Sequence, residues 1–323
     1  MWFKNHCLRS RLVSNGWRVV GQCEDESVPG AVATGSFCER RESTRETPVA
    51  TAPGTDSMLT FAVRRNSNGL VRKPMSQTKA PLILAIETAT RAGSVALVRG
   101  EDVLASASGD ASASHSQDLL ESIERILQDG GAKLSEVELF AAAEGPGSFT
   151  GLRIGLATTK SFAVCTGRSC VGVSTLAAIA QAAGNSEKVV SLLPAGRGEL
   201  FAQMSSVSDG QVRDLDNATH LSLSDILEKY GSLQPLIWTG EGASLNAEAL
   251  RAWAVDHNIS INDSGGNPTG WRIIPSPHQL AISIAKLALD KYSNGDTVSP
   301  NELRAVYVRA SDAEIKEKWP REK

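Results

Sequence analysis

The spacing of apolar and polar positions divides the chain near residue 80. Residues 1–79 carry charge clusters such as Arg40-Arg41-Glu42, scattered Pro and Gly, and few periodic apolar segments, the composition of a disordered extension. A start assigned too far upstream, with Met75 as the true first residue, accounts for it; an organellar leader is the alternative, set against by Glu24, Asp25 and Glu26. From Pro81 the pattern changes. Leu82-Ile83-Leu84-Ala85-Ile86 is a continuous apolar run of strand length, which predicts a strand buried on both faces. Residues 94–98 and 103–107 read as two further strands joined by Arg99-Gly100-Glu101-Asp102. Between 114 and 128, Leu119, Leu120, Ile123, Ile126 and Leu127 recur at helical spacing with acidic and amide residues opposite. A loop at 129–136, a strand ending at Ala143, a glycine-rich turn, a helix over 150–164, a strand at 170–173 and a helix over 175–183 capped by Ser174 follow.

The second half repeats this order. Strands at 189–194 and 199–204 flank Ala195-Gly196-Arg197-Gly198 as a hairpin. A helix at 223–230, a strand at 235–238, a turn at 239–242 and a helix through Trp253 come next, then a surface loop over 260–271 and a long helix over 277–291. Twice the strands lead and strand–helix alternation follows. The pattern therefore predicts an α/β fold of two similar lobes, 80–185 and 186–314, with mixed sheets flanked by helices and a tail at 315–323.

Local chemistry concentrates in Gly145-Pro146-Gly147-Ser148-Phe149-Thr150-Gly151-Leu152-Arg153-Ile154-Gly155, between a strand and a helix. Its glycines and proline make a tight turn, and Ser148 or Thr150 can accept from an orphan N–H of the first helical turn. The segment lacks the lysine of a phosphate loop and the G-x-G-x-x-G spacing. Gly151 and Gly155 share one helical face, where glycine costs about 1 kcal/mol relative to alanine, so another backbone must come close. That neighbour is either a segment of the same chain or a partner subunit.

Composition narrows the classes. With 41% apolar and 21% charged residues the chain is an ordinary globular one, and no apolar run approaches the length of a membrane span. Residues 1–80 hold 12 basic and 7 acidic residues, which leaves 21 basic and 29 acidic in the remainder, so the body is too acidic to bind nucleic acid strongly by itself. Five cysteines without a C-x-x-C pair fit a reducing, cytoplasmic setting. His6, His115, His220, His257 and His278 form no zinc-type spacing, so no metal site is expected on this chain, nor a nucleophile with an adjacent base.

Leu84-Ala85-Ile86-Glu87-Thr88-Ala89-Thr90, His115-Ser116-Gln117 and the segment from Gly145 to Gly155 resemble the bacterial TsaB (YeaZ) family, in the glycoprotease-like branch of the actin-like ATPase superfamily. The likeness continues through Gly172-Val173-Ser174-Thr175-Leu176, Arg197-Gly198-Glu199 and Val306-Tyr307-Val308-Arg309, and leaves the first 79 residues outside. It implies two tandem actin-like (ribonuclease H-like) lobes and a noncatalytic dimerisation subunit of the machinery that installs threonylcarbamoyladenosine in tRNA. In that family the subunit pairs with a homologous catalytic subunit (TsaD-like), joined by an ATPase subunit (TsaE-like); ATP and metal are then expected on the partners and no cofactor on this chain alone. Pairing through helices 114–128 and 150–164 would draw on His115, Leu119, Leu120 and Ile123 from the first, and on Thr150, Gly151, Leu152, Arg153, Gly155 and Leu156 from the second. At least half of these apolar residues are expected to face their own sheet instead. Glu87 and Thr88, with Gly147 and Ser148, stand where nucleotide-binding relatives meet phosphate, although Glu87 replaces the family's Asp; Pro194 and Gly196 likewise depart from its Asp and Arg. Arg153 can serve a partner, a nucleotide at the joint or a carboxylate of its own surface. The competing functions are a glycoprotease-like peptidase, an independent ATPase, and a homodimeric structural protein.

Overall fold

The first sheet is built outward from β1 (Leu82–Glu87), whose residues are all 0 or 1% exposed. In this computed structural model, residues 80–109, 115–262, 269–275 and 278–308 are described; the expected extension and the tail at 315–323 lie outside them. β1 pairs antiparallel with β2 (Ser94–Arg99) and parallel with β4 (Leu139–Gly145), so Leu84 lies between Leu97 and Phe140. β3 (Asp102–Ser108) and β5 (Ser169–Ser174) complete the order β3-β2-β1-β4-β5. Both faces need cover, which explains the unbroken apolar run. Leu82, Leu84 and Ile86 face α1 (His115–Asp129) and α2 (Phe149–Thr166), while Ile83 and Ala85 face α7 (Leu280–Ser293).

The second sheet uses the same plan. β6 (Ser186–Gly196) pairs antiparallel with β7 (Glu199–Ser208) and parallel with β10 (Leu236–Thr239), and β8 (Gln211–Asp214) and β11 (Trp271–Ile274) stand at its edges. A meander of three strands with two parallel strands added beside its first member therefore occurs twice. Arg197 (φ 58°) and Gly198 (φ 79°) are both left-handed, as a two-residue hairpin turn requires. Helices α4 (Leu223–Tyr230), α5 (Glu241–Leu245) and α6 (Ala247–Asp256) belong to the second sheet's apolar cluster.

The terminal helix of each half crosses over. α3 (Thr175–Ala182) follows the last strand of the first sheet yet packs Leu176 and Ile179 with Leu193 and Phe201 of β6 and β7. Conversely, α7 follows the second sheet and packs Ile284, Ala285 and Ala288 over the first. The Ala281 N–H donates to Ser94 Oγ at 3.0 Å, and Lys291 Nζ to the Gly172 carbonyl at 2.8 Å, fixing both ends of α7. One apolar layer thus serves both sheets.

Several expectations need correction. The loop over 260–271 ends in a strand: Trp271 is fully buried, 5.0 Å from Trp238 in an edge-to-face contact at 71°. The helix through Trp253 is two helices, broken at Asn246, whose Nδ2 donates to the Gly242 carbonyl at 2.7 Å. β8 and β9 (Thr219–Ser222), both of four residues, were not legible as strands, and β4 runs two residues past Ala143.

The tightest contact is between the end of β1 and α2. Ser148 caps α2 by accepting from the Gly151 N–H at 3.2 Å, and Gly167 ends it in the left-handed conformation. A Cβ on Gly151 would stand 1.9 Å from the Thr88 carbonyl oxygen, and one on Gly155 would stand 2.2 Å from Thr88 Oγ1. Thr88 Oγ1 donates to the Gly151 carbonyl at 2.7 Å across this seam. The close neighbour of both glycines is therefore Thr88 of the same chain, directly after β1, which resolves the alternative left open by their spacing.

At the end of β4, Glu144 is partly buried, and its carboxylate accepts no hydrogen bond among the described residues. Its Oε2 lies where a Cβ on Gly172 would come within 2.0 Å. Burial pushes its carboxyl above the ordinary range, against the opposing pull of Lys291.

Two outcomes follow from this packing. Gly155→Ala should cost about 1–3 kcal/mol of unfolding free energy by overpacking, and far less in a Thr88→Ala background, whereas Gly151→Ala meets backbone and should not be rescued. Urea unfolding of the four-member cycle checks this; equal costs of Gly155→Ala in both backgrounds would dismiss the contact. For Glu144, a raised carboxyl destabilises the fold as pH rises from the ordinary carboxylate range through the raised value. Glu144→Gln should therefore melt higher than the parent at pH 7 and lose that advantage toward pH 4; an advantage independent of pH would contradict the burial account.

Candidate functional site

Most of the predicted pairing residues come together on the side of the first sheet covered by α1 and α2. On α2, Leu152, Leu156 and Ala163 turn inward, at 1, 5 and 0% exposure. Thr150, Arg153, Ala157, Ser161 and Val164 emerge along the opposite stripe, at helical spacings of three and four. On α1, Leu119, Ile123 and Ile126 are buried, while Leu120 is 60% exposed. His115 opens α1, and its side chain lies outside the described residues. Leu119, Ile123, Leu152 and Leu156 thus serve the chain's own core, and Gly151 and Gly155 the seam with Thr88. Leu120, Thr150 and Arg153 remain outward.

The outward stripe has its own chemistry. α2 contains no acidic residue, its charged members being Arg153 and Lys160, and Val164 is 65% exposed. An exposed helix face is ordinarily charged in both signs; this one is small, apolar and weakly cationic. Arg153 lies 3.7 Å over the Phe149 ring and reaches the Tyr307 hydroxyl at 3.5 Å, with the two rings 5.2 Å apart. Its anchor is thus an aromatic shelf where a surface carboxylate was the commoner expectation. Val306 and Tyr307 are 49 and 46% exposed beside it. Neither Val164 nor Tyr307 stood among the sequence candidates. Val164 was detectable, eleven residues beyond Arg153 on one helical stripe, but Tyr307 reaches Phe149 only through the fold.

The four residues at the phosphate-type turn are engaged internally. Glu87 is 1% exposed and accepts from the Thr90 N–H at 2.7 Å and from Thr90 Oγ1 at 2.8 Å, closing the turn between β1 and β2. The Ser148 N–H donates to the Ala89 carbonyl at 2.8 Å, and a Cβ on Gly147 would stand 2.6 Å from that oxygen. The two turns are therefore locked to each other. Beside this turn, Glu87, Gly93, Ser94 and Asp118 line a small space of about 30 Å³ that opens to solvent. Among the described residues no three His, Cys, Asp or Glu side chains are placed to hold a metal, and no helix is long and apolar enough to cross a membrane.

Comparison with known proteins meets this geometry. The family model described as TsaD: tRNA N6-adenosine threonylcarbamoyltransferase matches residues 108–261. The tRNA threonylcarbamoyladenosine biosynthesis protein TsaB of Escherichia coli is 37% identical over 234 residues, covering 70% of this chain and 94% of that protein. The Haemophilus influenzae protein of the same name is 36% identical over 70% of this chain and 93% of its own length. Among solved structures, YeaZ from Pseudomonas aeruginosa has a TM-score of 0.58 at 25% identity, covering 70% of this chain and 99% of that one. A second structure from that organism, of a protein with similarity to peptidase YeaZ, has a TM-score of 0.59 at 24% identity over 71% and 100% of the two chains, and shows the shared fold. The match runs across both sheets and through nearly the whole length of the bacterial relatives, and on that ground the chain belongs to the TsaB family.

Proposed function

We propose that this chain is a noncatalytic subunit of tRNA threonylcarbamoyladenosine biosynthesis, which pairs with a homologous catalytic threonylcarbamoyltransferase and activates it. The pathway is the one in the names of its curated relatives, and the catalytic partner is of the type whose family model matches residues 108–261. The observation that carries the pairing is the outward stripe of α2 with Leu120 of α1: a helix face with no acidic residue, carrying an exposed valine beside small side chains. Small residues let a facing helix approach, and exposed apolar ones release water when covered.

Activation in this reading is positional. The hydroxyls nearest the glycine turn, Thr88 and Ser148, are committed to the Gly151 carbonyl and N–H, so they brace the docking helix and are not aimed at a substrate. A rigid α2 presents the partner with a surface that needs no ordering on binding, which lowers the entropic cost of association. ATP and metal belong to the partners, including the ATPase subunit.

Association with the same organism's catalytic homologue, followed by reconstituted tRNA modification with and without this chain, tests the reading. Val164→Glu and Leu120→Glu, both at exposed positions, should weaken association by about tenfold or more and leave the melting temperature within about 2 °C. Normal association by both variants would remove the stripe from the interface, and peptide or ATP turnover by the chain alone would favour an enzyme. Sizing the chain with and without the homologue separates a homodimer through the same stripe from the heterodimer. With a net charge of −3 the chain alone is expected to show no nanomolar retention of tRNA at physiological salt in a filter-binding assay; such retention would assign it a direct role on the nucleic acid.

A further inference from the structure

A cavity of about 210 Å³ opens beside Glu144. Val171 and Gly172 of β5 form one side, and Val298, Leu303 and Val306 of the segment after α7 form the other. That segment is held in place. Val298 and Cys170 exchange backbone hydrogen bonds of 2.9 Å, the Val306 N–H donates to the Glu144 carbonyl at 2.7 Å, and Leu303 is 2% exposed.

Five charged groups line the cavity: Glu144, Lys291, Asp296, Glu302 and Arg304. The Lys291 ammonium donates to the Gly172 carbonyl, and the Arg304 guanidinium to the carbonyls of Asn301 and Leu303. Glu302 accepts from the Ser299 N–H at 3.0 Å and from Ser299 Oγ at 2.7 Å. Both cations and Glu302 thus have partners within the chain, and Asp296 stands exposed to solvent at the rim. Glu144 differs: it is partly buried, its carboxylate accepts nothing among the described residues, and it keeps its place because Gly172 has no side chain. The unmet capacity inside the cavity is thus for a hydrogen-bond donor with positive charge.

We propose that this cavity binds a small primary amine, with its ammonium donating to the Glu144 carboxylate and its alkyl body against Val171, Val298, Leu303 and Val306. The apolar walls suit a carbon chain better than a hydrated ion, and no group of three carboxylates, histidines or cysteines among the described residues converges on a metal position. An anion would meet three carboxylates against two cations. A quaternary ammonium carries the charge without an N–H, so it leaves Glu144 without a donor.

The test is an amide-resolved NMR titration of the full ¹⁵N-labelled chain with n-butylammonium chloride, with tetramethylammonium chloride as the charge-matched control. Saturable shifts at Gly172, Val298 and Val306 are expected with the primary amine alone, and Glu144→Gln should weaken the affinity at least about tenfold while the rest of its spectrum stays in place. If Glu144→Gln does not fold, Glu144→Asp withdraws the carboxylate by one methylene and should show the same loss. The site is overturned by the lack of saturation at about 50 mM amine, by equal shifts with tetramethylammonium, or by undiminished binding in the folded variant. Since no partner protein enters the assay, its outcome is independent of the pairing function.

Discussion

The fold depends on how closely β1 and α2 approach. A strand end and a helix can touch backbone to backbone only where the helix has no side chains, and Gly151 and Gly155 provide that gap one turn apart. Thr88 fills it, and its hydroxyl returns a hydrogen bond to the Gly151 carbonyl. From this contact the remaining geometry of the lobe's end follows. Ser148 reaches Ala89, the turn after β4 is held against the turn after β1, and Glu87 closes the latter from within. α2 is thereby fixed in rotation, and its rotation decides which residues it shows to solvent.

That constraint also shapes the turn between β1 and β2. The turn is closed by its own carboxylate and hydroxyls. The Ser148 and Gly151 N–H groups at the start of α2 are directed at the Ala89 carbonyl and the Ser148 hydroxyl. The gain is stiffness in the helix that carries the outward stripe, with Arg153 clamped on Phe149 and Tyr307 at its first turn.

Much of this was legible from the amino-acid order, and the parts that were not have physical causes. The continuous run at 82–86 and the heptad-like leucines and isoleucines of α1 signal burial directly, because period and length alone specify strand and helix. The glycine spacing announced a close approach, yet spacing cannot say whether the neighbour is local or foreign; only the placement of Thr88 settles it. β11 escaped notice because four residues give too few alternations and its Trp271 sits at the end of a Gly, Asn and Pro stretch. Of the ten residues that the family pattern nominated for pairing, those on the inner face of α1 and α2 proved to be core, since an amphipathic helix spends its larger apolar residues on its own sheet. Glu144 and Tyr307 acquire meaning only from neighbours far along the chain.

The crossing of α3 and α7 also orders events in time. β1 is made early, but one of its faces is covered by a helix roughly two hundred residues later, so loop closure over most of the chain precedes the completion of that core. On a ribosome adding about 5–20 residues each second, the strand would wait some ten seconds or more with Ile83 and Ala85 uncovered. A nascent chain of this design invites chaperone contact at its first strand until its last helix emerges.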